Sequence, residues 1–146
     1  MILRWHFTSR HIRLHRGVRI ILDRVIFVGL GGFLGANARY WLSVLLTRAL
    51  GQAFPWGTWF VNVTGSMLLA IFLTWAGKQI SLSLQARLLI ATGFFGAYTT
   101  FSTFANDTVA LWQAGNQSSA VLNALANNLI SVVGVLLGLA IASRLS

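Results

Sequence analysis

Apolar residues occur along the chain in four long stretches, separated by short segments that are polar or contain glycine and proline. A transmembrane helix needs about 20 apolar residues to cross the hydrocarbon core of a bilayer, and each stretch reaches that length. The predicted spans are residues 25–47, 57–76, 87–112 and 120–142. The stretches are continuous and lack the short alternating pattern of membrane barrels. The pattern therefore predicts an all-α integral membrane protein, with one four-helix bundle over residues 25–146.

Composition and charge support a membrane protein. Of the 146 residues, 56% are hydrophobic and 9% are charged, which leaves too little polar surface for a soluble domain. A formal charge of +9 would suggest nucleic-acid binding in a soluble protein. Six of the eleven basic residues, however, precede the first apolar stretch, where they would lie beside anionic lipid headgroups; they are Arg4, Arg10, Arg13, Arg16, Arg19 and Arg24. We predict a basic, poorly ordered tail over residues 1–24 and no nucleic-acid partner.

The first apolar stretch has an alternative interpretation as a secretory signal peptide. A basic start and an apolar run precede Ala36 and Ala38, whose spacing is typical of a cleavage site. The apolar run resumes at Tyr40 and continues to Leu46, so the stretch has the length of a span. This length favours a retained transmembrane helix.

Polar side chains recur at helical spacing inside two of the predicted spans. The sets are Thr58, Asn62 and Ser66 in the second span, and Asn123, Asn127 and Ser131 in the fourth. Residues four apart share one face of a helix, so each set forms a polar stripe. Polar groups within a membrane are costly and by default mark a pathway, a cavity or an interface. Two stripes favour a lined path; the alternative is that they only hydrogen-bond neighbouring helices together.

The third predicted span is interrupted near its middle by glycine, hydroxyl and aromatic residues. Glycine and β-branched threonine are poor helix formers, so a break is expected near residues 96–100. Backbone released at membrane depth must be buried in protein or coordinate a ligand, and its carbonyl oxygens could bind a cation. Phe101 and Phe104, three residues apart, would share a helical face beyond the break. Such an aromatic pair is also common in ordinary core packing.

Four groups of residues together resemble the small fluoride channels of the CrcB/Fluc type. They are Gly31-Gly32 followed by Gly35-Ala36-Asn37-Ala38-Arg39-Tyr40; Gly57-Thr58 with Val61-Asn62 and Gly65; Gly93 and Gly96 with Thr99-Thr100-Phe101-Ser102-Thr103-Phe104; and the stripe Asn123, Asn127, Ser131. The match covers residues 25–146, about five-sixths of the chain. The run from Thr99 to Phe104 is the most specific part of it.

The resemblance implies an antiparallel homodimer of four-helix subunits with a broken third helix, in the bacterial inner membrane. Fluoride would leave the cell passively through two narrow pores at the dimer interface. The resemblance places these residues along the fluoride path: Arg39, Asn62, Phe101, Ser102, Thr103, Phe104, Asn127 and Ser131. Backbone carbonyls of Gly96 and Thr99 from both subunits would hold a structural sodium ion at the dimer centre.

The chain departs from the family pattern in three respects. Asp107 stands where related sequences usually carry glutamate. The family's polar track commonly begins near position 123 with tyrosine or another polar residue, and Asn123 fits only the second option. Insertion in both orientations also requires nearly balanced basic residues, and this sequence is unbalanced. One side of the predicted bundle carries Arg4, Arg10, Arg13, Arg16, Arg19, Arg24, Lys78, Arg87 and Arg144, and the other carries Arg48 alone. The antiparallel dimer therefore runs against the charge pattern.

Other function classes fit the residues less well. A small multidrug exporter needs a membrane-embedded carboxylate for proton exchange, but the chain has no glutamate and no acid in its first span. An enzyme acting within the membrane needs a nucleophile with a base, yet His6, His11 and His15 all precede the first span. A structural or assembly subunit stays open if the polar stripes serve only to join helices.

Overall fold

The protein was analysed as a computed structural model that describes residues 8–78 and 82–144, with side chains from residue 19 onward. The helices are α1 (Thr8–Leu50), α2 (Trp56–Lys78), α3 (Leu84–Arg87), a π-helical segment (Leu88–Phe95), α4 (Gly96–Tyr98), α5 (Phe101–Gln113) and α6 (Gln117–Arg144). Four stretches are long and apolar enough to cross a membrane: Arg19–Leu50, Trp56–Lys78, Leu84–Gln113 and Gln117–Arg144. The predicted all-α fold with four spans is confirmed, and the chain is a multi-pass membrane protein.

Helix α1 begins well before the predicted first span. Its backbone is helical from Thr8, whereas the hydrophobic pattern placed the start of the span at Val25. Residues 1–7, which include His6, lie outside the described residues. The division into a basic tail and a channel domain stays a prediction.

Two glycines end helices in the left-handed region of backbone space. Gly51 (φ 85°) follows α1 and donates its N–H to the Thr47 carbonyl at 3.0 Å; Gly115 (φ 81°) follows α5. Glycine adopts this conformation without the steric clash that a Cβ would cause. Pro55 precedes α2, and its carbonyl accepts from Trp59 N–H at 3.0 Å. These short turns make consecutive spans neighbours in the bundle.

Glycines set the closest helix contacts. Gly31 and Gly35 on α1 press against the π-helical segment so tightly that an added Cβ would overlap backbone carbonyls of that segment. A Cβ on Gly138 of α6 would lie 2.5 Å from the Met67 carbonyl oxygen of α2. Small residues let membrane helices approach to backbone contact, where dispersion forces are strongest. The result is two tightly packed pairs, α1 with the π-helical segment and α2 with α6.

The third span is not a uniform α-helix. It starts with α3, continues as eight π-helical residues, and reaches two residues with extended backbone, Thr99 (φ −84°, ψ 157°) and Thr100 (φ −153°, ψ 115°). Helix α5 then starts at Phe101, and the Thr100 hydroxyl caps it by accepting from Thr103 N–H at 3.2 Å. This N-cap fixes the direction in which α5 leaves. The two threonines therefore separate helical backbone on either side.

Basic side chains gather at one end of the bundle. Arg24 lies beside the start of α3, and the Arg87 guanidinium donates to the Ala76 carbonyl near the end of α2. A cation is favourable there because the carbonyl end of a helix carries partial negative charge. Arg144 ends α6, which runs parallel to α2, so it lies at the same end; Arg48 ends α1 at the other.

Candidate functional site

A pocket of about 210 Å³ opens at the two extended threonines. Its lining comes from α2, α5, α6 and the extended segment, and consists of Asn62, Ser66, Thr99, Thr100, Phe101, Phe104, Asn127, Asn128 and Ser131. Residues far apart in sequence thus meet where the regular backbone is interrupted. Five of the eight residues that the sequence placed on the fluoride path line this one pocket.

The two phenylalanines contact each other at the start of α5. Their ring centroids are 5.5 Å apart and the ring planes are inclined by 62°, an edge-to-face arrangement. Phe104 is buried at 8% exposure, whereas Phe101 is 75% exposed. Aromatic rings carry partial positive charge at their edges, so a ring edge can contact an anion without a fixed charge. The pair thus supplies an apolar wall with weak anion-attracting character.

The Asn62 amide is bonded to both polar backbone groups of Thr100. Its Oδ1 accepts from the Thr100 N–H at 2.8 Å, and its Nδ2 donates to the Thr100 carbonyl at 3.1 Å. The same Nδ2 also donates to Asn127 Oδ1 at 2.9 Å. Buried backbone polar groups without a partner are costly in an apolar medium, so the amide compensates for the lost helical bonds. Asn62 therefore stabilises the extended segment as well as lining the pocket.

The two carbonyls predicted to bind a cation lose their α-helical donors at this place. The N–H of Thr100 would continue the helix by bonding to the Gly96 carbonyl, but it donates to Asn62 instead. The N–H of Thr103 would bond to the Thr99 carbonyl, but it donates to the Thr100 hydroxyl. Two carbonyl oxygens released from helical bonding are a donor set suited to a hard cation.

The amides of the two stripes also bond to each other. Asn62 of α2 reaches Asn127 of α6, and Asn127 Nδ2 donates to Asn123 Oδ1 at 2.8 Å. The first of these bonds joins α2 to α6, as the alternative interpretation of the stripes expects. Ser131 differs, because its Oγ is buried and has no hydrogen-bond partner among the described residues. The hydroxyl of Ser131 is thus an unmatched polar group in the pocket lining.

A second pocket, of about 450 Å³, lies between α1, α2 and α5. Thr103 lines it, so this residue is separated from the other predicted pathway residues. Asp107 also lines it and accepts from the Thr58 hydroxyl at 2.7 Å. Thr58, the first member of the α2 stripe, is therefore a hydrogen-bond partner of Asp107. A pairing across 49 residues has no local signal that sequence spacing could reveal.

Three other predicted site residues lie outside both pockets. Ser102 is exposed, and its hydroxyl is 3.3 Å from that of Thr100. Gly96 is exposed next to the extended segment. Arg39 is half-buried on the α1 face that continues from Gly35, and it has no hydrogen bond or ion pair with any described residue.

Comparison with known proteins gives the family. The family described as CrcB-like protein, Camphor Resistance (CrcB), matches residues 26–139. A Koribacter versatilis protein named fluoride-specific ion channel FluC is 44% identical over 111 residues, which cover 76% of this chain and 88% of that protein. Proteins of the same name from Acidobacterium capsulatum and Chelativorans sp. are 42% and 41% identical, and the matches cover 84% and 81% of this chain and 98% and 94% of theirs. This chain belongs to the CrcB family.

Proposed function

We propose that this protein is a fluoride-selective channel through which fluoride leaves the cell passively across the bacterial inner membrane. The observation that carries the proposal is the pocket that combines the Phe101–Phe104 pair with Asn62, Asn127 and Ser131. Relatives at 41% to 44% identity that bear the name fluoride-specific ion channel support it.

The chemistry of the pocket suits a small, strongly hydrated anion. Removing water from fluoride costs on the order of tens of kcal/mol by Born reasoning unless the protein supplies replacement donors. Amide and hydroxyl groups are such donors, and the edges of the phenylalanine rings add weak attraction. No basic side chain lines the pocket among the described residues. Weak, successive contacts favour conduction, because an ion must leave a site as readily as it enters.

Asn62 can contribute to the path only by exchanging one acceptor for another. Both of its N–H donors are engaged, one by the Thr100 carbonyl and one by Asn127 Oδ1. A fluoride ion at this point would replace the Asn127 oxygen while the contact to Thr100 holds the amide in place. Such an exchange keeps binding weak, since the ion gains a hydrogen bond that the protein gives up.

The proposed assembly is an antiparallel homodimer. Phe101 is 75% exposed at the edge of a pocket with a polar lining, and a second copy would cover it. A two-fold axis in the membrane plane brings the same segment of both chains together at one centre. The clustering of basic residues at one end opposes this arrangement under the positive-inside rule.

The interpretation of Thr99 and Thr100 as a break in a transmembrane helix belongs to the same proposal and is supported by their extended dihedral angles.

A structural sodium ion at the dimer centre completes the proposal. The carbonyls of Gly96 and Thr99 lack their α-helical donors, and two copies would supply four such oxygens. Sodium bound there would link the subunits and would not itself be transported. Purified protein transferred from sodium to N-methylglucamine buffer should lose fluoride conduction and regain it when sodium returns. Full conduction without sodium would contradict this part of the proposal.

Fluoride efflux from liposomes that contain only this protein tests the central claim. We expect fluoride to leave and chloride to be retained, as measured with ion-selective electrodes. Chloride loss at a comparable rate would contradict fluoride selectivity, and retention of both ions would contradict channel function.

A structural or assembly subunit is the second candidate, favoured by two hydrogen bonds between helices, Asn62 of α2 to Asn127 of α6 and Asn123 of α6 to Thr108 of α5. Growth of fluoride-sensitive cells separates the two functions. A channel should restore growth in fluoride, whereas an assembly subunit should leave the cells sensitive.

A further inference from the structure

The asparagine amides at the pocket continue into a hydrogen-bond chain that returns to α5. Asn127 Nδ2 donates to Asn123 Oδ1 at 2.8 Å, and Asn123 Nδ2 donates to Thr108 Oγ1 at 2.8 Å. The Thr108 hydroxyl donates in turn to the Phe104 carbonyl, one turn back in α5, at 2.8 Å. A chain that starts at the Thr100 N–H therefore ends on the backbone of the residue whose ring lines the pocket.

All links of this chain run in one direction. Each amide accepts through its oxygen from the preceding group and donates through its nitrogen to the next. Hydrogen bonds arranged in this way polarise one another and strengthen in an apolar interior. A group that can only accept, or that has no polar atom, interrupts the chain where it stands.

The asparagine amides of α6 that bond toward α5 are buried. Asn123 is 0% exposed and Asn127 is 5% exposed. Within the described residues, the bond from Asn123 to Thr108 is the side-chain hydrogen bond that joins α6 to α5. Since a buried amide without a partner is more unfavourable than an ordinary bond is favourable, α5 cannot slide along α6 without a penalty.

We propose that Asn123 and Thr108 are positioning residues for fluoride passage. They fix the register of α5 against α6 and thereby hold the Phe104 ring at a constant distance from Asn62. Neither residue lines the pocket; they act through Asn127 and the Phe104 backbone. This inference rests on the proposed channel function.

Removal of the Thr108 hydroxyl tests the positioning role. Thr108→Val keeps the β-branched shape and should lower fluoride efflux from liposomes about fivefold or more. The loss of one hydrogen bond changes the ratio of protein with α5 in the correct position to protein with α5 displaced by about that factor. Thr108→Ser retains the hydroxyl and should restore efflux toward the wild-type rate. Thr74→Val is the matched control, because Thr74 is a half-buried α2 residue outside the chain. Its efflux should equal that of the wild type.

A double-variant measurement separates positioning from general packing. Asn123→Leu has a similar volume and removes the donor to Thr108 without adding a charge near the path, so it should also lower efflux. Combined with Thr108→Val, it should lower efflux by less than the product of the two single effects, since both changes break one link. Losses that multiply, or failure of Thr108→Ser to restore efflux, would overturn the proposal.

The outcomes also separate this inference from the function on which it rests. Absence of fluoride efflux from the wild-type protein would overturn the channel itself. Wild-type efflux that Thr108→Val leaves unchanged would overturn the positioning role alone. If Thr108→Val does not give monodisperse protein, Asn123→Leu decides the matter, and wild-type efflux in that variant would overturn the role.

Discussion

Replacement of Asn62 by leucine should strongly destabilise the protein, because it removes the amide that bonds to the Thr100 backbone. The amide makes three hydrogen bonds, two to the backbone of Thr100 and one to Asn127. At about 1 kcal/mol net for each bond, their loss amounts to about 3 kcal/mol. Thr100 is 8% exposed, so its unpaired N–H and carbonyl raise the total to about 3 to 5 kcal/mol.

Asn37→Leu is the matched control for this measurement. Asn37 is exposed, and its Nδ2 donates only to the Phe33 carbonyl of its own helix. Loss of the Asn37 amide should change the free energy of unfolding by no more than about 0.5 kcal/mol, as for a typical surface substitution. Denaturant unfolding in detergent, followed by tryptophan fluorescence, gives the two values. Equal free energies of unfolding for Asn62→Leu and Asn37→Leu would refute the role of Asn62 in stabilising the extended segment.

Asn62→Asp separates this structural role from a role in conduction. The carboxylate can still accept from the Thr100 N–H but donates to neither former acceptor, so stability should fall by about 2 kcal/mol. Fluoride efflux should fall further than in Asn62→Leu, because a carboxylate repels the anion. Efflux at the wild-type rate in Asn62→Asp would exclude Asn62 from the fluoride path.

The remaining predictions concern the rings, the helix contacts and the topology. Phe101→Ile and Phe104→Ile should each lower fluoride efflux in a folded protein, since isoleucine keeps apolar volume but lacks the polarised ring edge; wild-type efflux in both would make the rings packing residues. Gly35→Ala should lower the free energy of unfolding by about 1 to 3 kcal/mol, because its methyl would overlap the π-helical backbone, whereas Gly32→Ala has open space within a helix and should not lower it. Similar losses in both would contradict that contact. Without residues 1–23, C-terminal reporters should appear on both sides of the membrane, and one-sided reporters in a conducting protein would exclude the antiparallel dimer.

Most of the fold could be predicted from the pattern of hydrophobic residues, because that pattern is a local property of the sequence. Runs of about 20 apolar residues define spans whatever their partners are, and glycines at positions 31 and 35 mark a close contact before the opposing helix is known. The limits of the spans were less predictable. Helix α1 begins at Thr8, where basic residues interrupt the hydrophobic pattern but not the helical backbone.

The sequence predicted which polar residues lie at the site but not which hydrogen bonds they make. The four-residue spacing placed Asn62 and Asn127 on helical faces, and the structure brings those faces together. Spacing could not tell that the Asn62 amide would bond to the Thr100 backbone, since that contact joins residues 38 apart. Nor did it indicate the π-helical segment, which lies so close to α1 that a Cβ on Gly93 would be 2.7 Å from the Val28 carbonyl oxygen.

The polar groups released at the extended threonines connect stability with the proposed ion sites. Water is absent from the hydrocarbon core, so each backbone group there needs a partner within the protein or a bound ion. The Asn62 amide satisfies both groups of Thr100, and the Thr100 hydroxyl satisfies the Thr103 N–H. These same bonds take away the α-helical donors of the Gly96 and Thr99 carbonyls. A side chain that stabilises the extended segment thereby leaves oxygens free for other partners, and the proposed cation between two copies is one that their partial negative charge would attract. Loss of the Asn62 amide should therefore weaken sodium-dependent association of the subunits as well as fluoride conduction, measurable as a higher sodium requirement for efflux in Asn62→Leu than in Asn37→Leu.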